Sequence, residues 1–81
     1  MTENDLGNIL KTMYNDAIVG NKVTAIHLFG IRYGEEISTK HLSVKNILEC
    51  AEMSEKYSTE IYKGMRLGHY VTIREDYLSH I

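Results

Sequence analysis

The chain contains no proline, and its lone cysteine, Cys50, has no second cysteine with which to close an internal disulfide. A single cysteine suits a reducing compartment, and the three-residue spacing from Ile47 reads as helix packing rather than a reactive thiol. No apolar run is long enough to cross a bilayer, so no membrane partner is expected. Apolar content is ordinary at 43% and charge moderate at 25%, which excludes the composition of a disordered chain. The opening residues, MTENDLGNILKTMYND, carry acids where a secretory signal carries bases and have no continuous apolar core, so a cytoplasmic location is expected. There is no internal repeat and no low-complexity tract. At 81 residues a single domain over 1–81 is expected, with one modest core and a size at which a dimer or partner interface would matter to stability.

Patterns of catalysis are scarce as well. His27, His41, His69 and His80 are scattered, with no second cysteine and no histidine pair at metal-binding spacing. Glu35 and Glu36 are adjacent and on a helix point in different directions, so they form no matched acid and base. Ser43, Ser54 and Ser58 lack the glycine-flanked elbow of a nucleophile. FGIRYGEE lacks the preceding strand and the following lysine-serine or lysine-threonine pair of a phosphate loop. No enzymatic activity, metal or cofactor is expected.

What the chain does have is helical periodicity. Leu6, Ile9, Leu10, Met13, Tyr14 and Ala17 make one apolar stripe, predicting a helix from about Asn4 to Ile18 capped by Asn4 or Asp5 and stopped at Val19-Gly20-Asn21. Val23, Ile26, Phe29, Tyr33 and Ile37 continue the period, with Leu28 and Ile31 widening the face. VTAIHLF alone could form a strand, but the stripe lasts four turns and no partner strand lies nearby, so a helix is favoured. Gly30 and Gly34 each cost roughly 1 kcal/mol in a helix, which implies that another helix approaches closely there. Val44, Ile47, Leu48 and Ala51 predict a third helix capped by Ser43. After a break at Met53 and Ser54, Tyr57, Ile61 and Met65 predict a fourth, capped by Ser54 and closed by a positive-φ Gly64. His69 to Ile73 favours extended backbone and is expected to pair with a second copy, form a minimal wing or lie across the core. Glu75 to Ile81 adds a short helical turn through Tyr77, Leu78 and Ile81.

Charge is unevenly spread within a net of −2. Residues 40–74 hold six bases and four acids, against three bases and five acids in residues 1–39. Within the basic part, AEMSEKYSTEIYKGMR resembles the turn and second helix of repressor-type helix-turn-helix domains, with Ile61, Tyr62, Lys63 and Gly64 at the closing positions. The chain is also similar to small bacterial helix-turn-helix-like proteins, through its IHLFGIRYGEEI and YSTEIYKGMRL runs, about a third of its length. In two places it departs from the repressor pattern: Glu52 stands at the turn position usually given to glycine, and Ser58 at a usually apolar position, with Tyr57 beside it to supply the buried contact.

The resemblance implies an all-α, compact four- to five-helix domain containing a helix-turn-helix, with a short extended C-terminal segment. It further implies a partner, double-stranded DNA, with the second helix in the major groove and a role in transcription regulation or another DNA transaction. Residues off the buried stripe are then the DNA-binding candidates. Thr59 and Glu60 would face base edges, Lys56 and Lys63 share the outward side, Tyr62 flanks them, and Lys45 and Arg66 reach the backbone. Glu55 and Glu60 would repel phosphates, and in the alternative reading these charges are an ordinary solvated face. The rival function is a protein-interaction module on the same scaffold, resting on six tyrosines, four methionines and the acidic total. Tyr62, Tyr70 and Tyr77 are its candidate surface residues. The apolar C-terminal residues 69–81 predict a homodimer, or else a tail folded back over the first helix.

Overall fold

The first four helices send apolar side chains into one core, and a computed structural model describes the protein over residues 1–78. Helix α1 spans Glu3–Asp16, α2 Lys22–Thr39, α3 Val44–Cys50, α4 Ser58–Leu67 and α5 Glu75–Leu78, with a 3-10 turn at Glu55–Tyr57 leading into α4. There is no strand among the described residues, and the residues between α4 and α5 form no regular element beyond a turn at the end of α4. Leu6 and Leu10 of α1, Ile26 and Phe29 of α2, Ile47 and Leu48 of α3 and Ile61 of α4 are all fully buried. Each such side chain contributes roughly 1.5–3 kcal/mol relative to leaving it in water.

The helix starts follow local chemistry. The cap of α1 is Thr2, not Asn4 or Asp5: its hydroxyl accepts from the Asp5 backbone N–H at 3.1 Å, and the Asp5 carboxylate accepts from the Thr2 N–H at 2.9 Å. Asp5 is thus the reciprocal member of a capping box. The helix also ends earlier than its apolar stripe, at Asp16, and Gly20 makes the turn at φ +96°. Lys22 then reaches back to the Tyr14 and Asn15 carbonyls at 2.8 and 3.2 Å, satisfying acceptors that the end of α1 leaves open. Ser43 caps α3 as its position suggests, accepting from the Asn46 N–H at 3.1 Å.

Two helices end on left-handed residues that are not glycine, His41 at φ 54° and Glu52 at φ 58°. In each case the residue after it donates back to the helix: Leu42 N–H to Ile37 O at 2.9 Å, and Met53 N–H to Leu48 O at 2.9 Å. This is the Schellman closure, and Leu42 and Met53 both pack against the core in the hydrophobic contact that accompanies it. Gly64 does not end α4. The helix continues to Leu67, and Gly64 is buried within it.

The reason lies in how α2 and α4 cross. A Cβ on Gly30 would stand 2.6 Å from the Ile61 carbonyl oxygen and 2.8 Å from Gly64 Cα, while one on Gly64 would stand 2.4 Å from the His27 carbonyl oxygen. Two glycines therefore face each other and bring backbone against backbone, the close approach expected of Gly30 and Gly34. Gly34 meets Met65 in the same seam. Helix α1 approaches α3 in the same way, where a Cβ on Gly7 would lie 2.4 Å from Cys50 Cβ.

Candidate nucleic-acid interface

Helix α3, the αL turn at Glu52 and helix α4 form a unit that the first two helices hold in place. Glu3 of α1 accepts from the Ser43 N–H at 2.5 Å and from Asn46 Nδ2 at 3.2 Å, tying the two helix starts together. Lys11 of α1 donates to the Glu52 carboxylate, and that hydrogen bond is the main cause that lowers the Glu52 pKa from its ordinary value. Tyr14 of α1 meets Tyr57, with hydroxyls 3.3 Å apart and ring centroids 5.7 Å apart. Tyr57 therefore supplies the packing that Ser58, next to it, cannot. Glu52 holds the left-handed conformation of the turn, where a glycine would carry no steric cost.

Four of the seven candidate residues share one face. Thr59, Tyr62, Lys63 and Arg66 recur at three- and four-residue steps along α4, opposite the buried Ile61 and Gly64, and all are exposed. Lys56 is exposed on the 3-10 turn that leads into this face, with its ammonium 5.3 Å from the Tyr57 ring centroid. Lys45 is exposed on α3. Glu60 lies apart from the rest: its side chain is 24% exposed and accepts from His27 Nε2 of α2 at 2.7 Å, with Lys63 Nζ at 3.4 Å. The His27 hydrogen bond, then the Lys63 charge, holds the Glu60 carboxyl below its ordinary range. The outward face of α4 consequently carries hydroxyl, phenol, ammonium and guanidinium groups and no carboxylate.

His27 reads from the sequence as a packed helix residue, and its pairing with Glu60 joins positions 33 apart in the chain. No local pattern signals such a pair. Beyond Arg66, the turn from Leu67 to Val71 carries Tyr70, and His27, Lys63, Arg66, Leu67 and Tyr70 line a shallow cleft of ≈ 400 Å³. Of the three tyrosines proposed as surface residues, Tyr62 is 47%, Tyr70 86% and Tyr77 42% exposed. Tyr77 lies at a second groove of ≈ 840 Å³ between α1 and α2, lined also by Ile9, Met13, Ile18, Ala25 and Leu28. The C-terminal segment thus reaches the groove between the first two helices of its own chain at Tyr77; its continuation through Ile81 falls outside the described residues.

This is the architecture of a helix-turn-helix protein: a short helix, a left-handed turn and a second helix whose outer face is polar and basic. The chain belongs to the HTH-like domain family, which matches residues 2–74. No curated protein and no solved structure matches it. Among the described residues no helix is long and apolar enough to cross a membrane. Nor do three or more histidine, cysteine or acidic side chains come together there as a metal-binding group.

Proposed function

We propose that the protein binds double-stranded DNA by laying α4 in the major groove, as a regulator of transcription or an accessory factor in another DNA transaction, without enzymatic activity. The observation that carries this reading is the composition of the exposed α4 face. Thr59 and Tyr62 offer hydroxyls for base edges, and Lys63 and Arg66 flank them as phosphate contacts. Of the two acids that argued against DNA from the sequence, Glu60 is turned aside to His27 and so acts on the position of α4 rather than on bases, while Glu55 lies exposed on the 3-10 turn before the helix. Lys56 and Lys45 extend the phosphate-contacting set.

The test is a binding titration on mixed duplex DNA at several salt concentrations. Lys63→Ala and Arg66→Ala are expected to weaken binding to all sequences and to lower the salt slope by about 1 for each lost phosphate contact. Thr59→Ala is expected to alter sequence preference and leave that slope alone. Absence of salt-dependent binding by the intact protein at low ionic strength would end this reading.

The groove between α1 and α2 supports the second reading, a protein-interaction module. Its apolar lining continues toward Ile18 and Val23, which are 71% and 45% exposed. The two surfaces are separate, so a protein partner or a homodimer at α1 and α2 is compatible with DNA at α4. Light scattering with and without residues 75–81 tests the homodimer: the dimer form requires the mass to fall from that of two chains to that of one on truncation, without loss of helical content.

A further inference from the structure

Tyr70 is the most exposed of the tyrosines proposed as surface residues, at 86%, yet it is not on a loose tail. The Tyr70 and Val71 N–H groups both donate to the Leu67 carbonyl, at 2.9 and 3.0 Å, and the His69 N–H donates to Arg66 O at 3.1 Å. These bonds extend the end of α4 into an ordered turn that fixes the Tyr70 backbone, and Tyr70 and Arg66 line the same cleft. The cleft between this turn and α2 has a mostly apolar lining, to which Leu67, His27, Tyr70 and the stems of Lys63 and Arg66 contribute, and Lys63 and Arg66 are exposed to solvent beside it. Among the described residues Arg66 has no carboxylate partner, and the 3.4 Å contact of Lys63 with Glu60 leaves its side chain half exposed.

From this arrangement we infer that the cleft is a clamp for one nucleotide unit of the DNA backbone, with Arg66 and Lys63 on the phosphate and the Tyr70 ring against the neighbouring sugar. The inference rests on the DNA-binding reading and adds to it a contact made by the turn after α4. A free inorganic anion would use the cations but not the apolar lining or the ring. A nucleotide unit uses both, because its phosphate is anionic while its sugar presents weakly polar C–H surface. Lys63 and Arg66 belong both to this cleft and to the outward face of α4, so a strand whose bases face Thr59 and Tyr62 continues directly into it. The exposed Lys63 and Arg66 beside the cleft complement the phosphate, and Glu60, the acid that meets Lys63, is also hydrogen-bonded to His27.

The experiment uses the full chain and a short fluorescent duplex of mixed sequence. Tyr70→Ala is expected to weaken binding by about 5-fold or more, the loss of one apolar contact of about 1 kcal/mol, with no change in salt slope because no charge is removed. Tyr70→Phe keeps the ring and is expected to bind like the parent. Hydroxyl-radical footprinting of the unmodified protein reads the same contact without a substitution, with Tyr70 protected when DNA is bound. If Tyr70→Ala binds as the parent does and Tyr70 stays reactive on DNA, while Lys63→Ala still weakens binding, the clamp is wrong and the α4 interface stands. If the parent shows no salt-dependent binding, both fall together.

Discussion

Replacing Gly64 with alanine tests the central packing decision of the fold. The added Cβ falls 2.4 Å from the His27 carbonyl oxygen and 3.0 Å from Gly30 Cα, and none of its close neighbours is a side chain that can rotate away. Restoring an ordinary contact of about 3.5 Å requires α2 and α4 to part by about 1 Å. That movement opens the layer in which Ile26, Phe29 and Ile61 are fully buried. Overpacking costs roughly 1–3 kcal/mol, and a clash of backbone on backbone belongs at the upper end of that range. Alanine gives back about 1 kcal/mol through its higher helix propensity. The expected net loss is about 2 kcal/mol, or a fall in Tm of about 10 °C for a domain of this size. Urea denaturation followed by circular dichroism measures it, and Gly30→Ala should cost a similar amount. The double variant should cost less than the sum of the two, since both separate the same pair of helices. The opposite result refutes the reasoning: if Gly64→Ala melts at or above the parent temperature, propensity has won and the helices do not cross as closely as described.

His41→Gly relieves a left-handed residue at the end of α2 and is expected to stabilise the protein by about 0.5–1 kcal/mol, read as a higher urea midpoint. Glu52→Gly should yield less, because it also removes the carboxylate that Lys11 binds. The Glu60 carboxyl has its pKa lowered in the fold, so its contribution is fully present above the ordinary value of 4.5 and is lost as pH falls through the lower folded value. Thermal stability measured against pH should therefore fall more steeply below 4.5 for the parent than for Glu60→Gln.

Much of this molecule is written in local pattern. The stripes of α1 and α2, the cap at Ser43, the glycine turn at Gly20 and the break after Ala51 all follow from interactions within four or five residues, and these are what periodicity and turn chemistry report. The same holds for the tyrosine near the turn: Tyr57 could be named as the buried substitute for an apolar residue at Ser58 because the two are neighbours. The candidate DNA face was partly legible for that reason. Once Ile61 is known to point inward, the helical period places Thr59, Tyr62, Lys63 and Arg66 together on the other side.

Other features required knowing what lies opposite. A glycine in the last turn of a helical pattern can close it with positive φ or admit a neighbouring backbone, and both roles ask only for the missing Cβ. For Gly64 the choice fell to Gly30 and His27 of α2, which are more than thirty positions away in the chain. Glu60 has the same ambiguity, since an acid on a helix is a base reader or a repulsive charge until the fold supplies His27 at 2.7 Å. Composition and spacing thus determined which segments are helical and which faces are apolar, because those depend on near neighbours. Only the tertiary structure decided how α2 and α4 cross, which charges remain free to meet a partner and where Tyr70 is held, because each depends on contacts between residues that the chain itself keeps far apart.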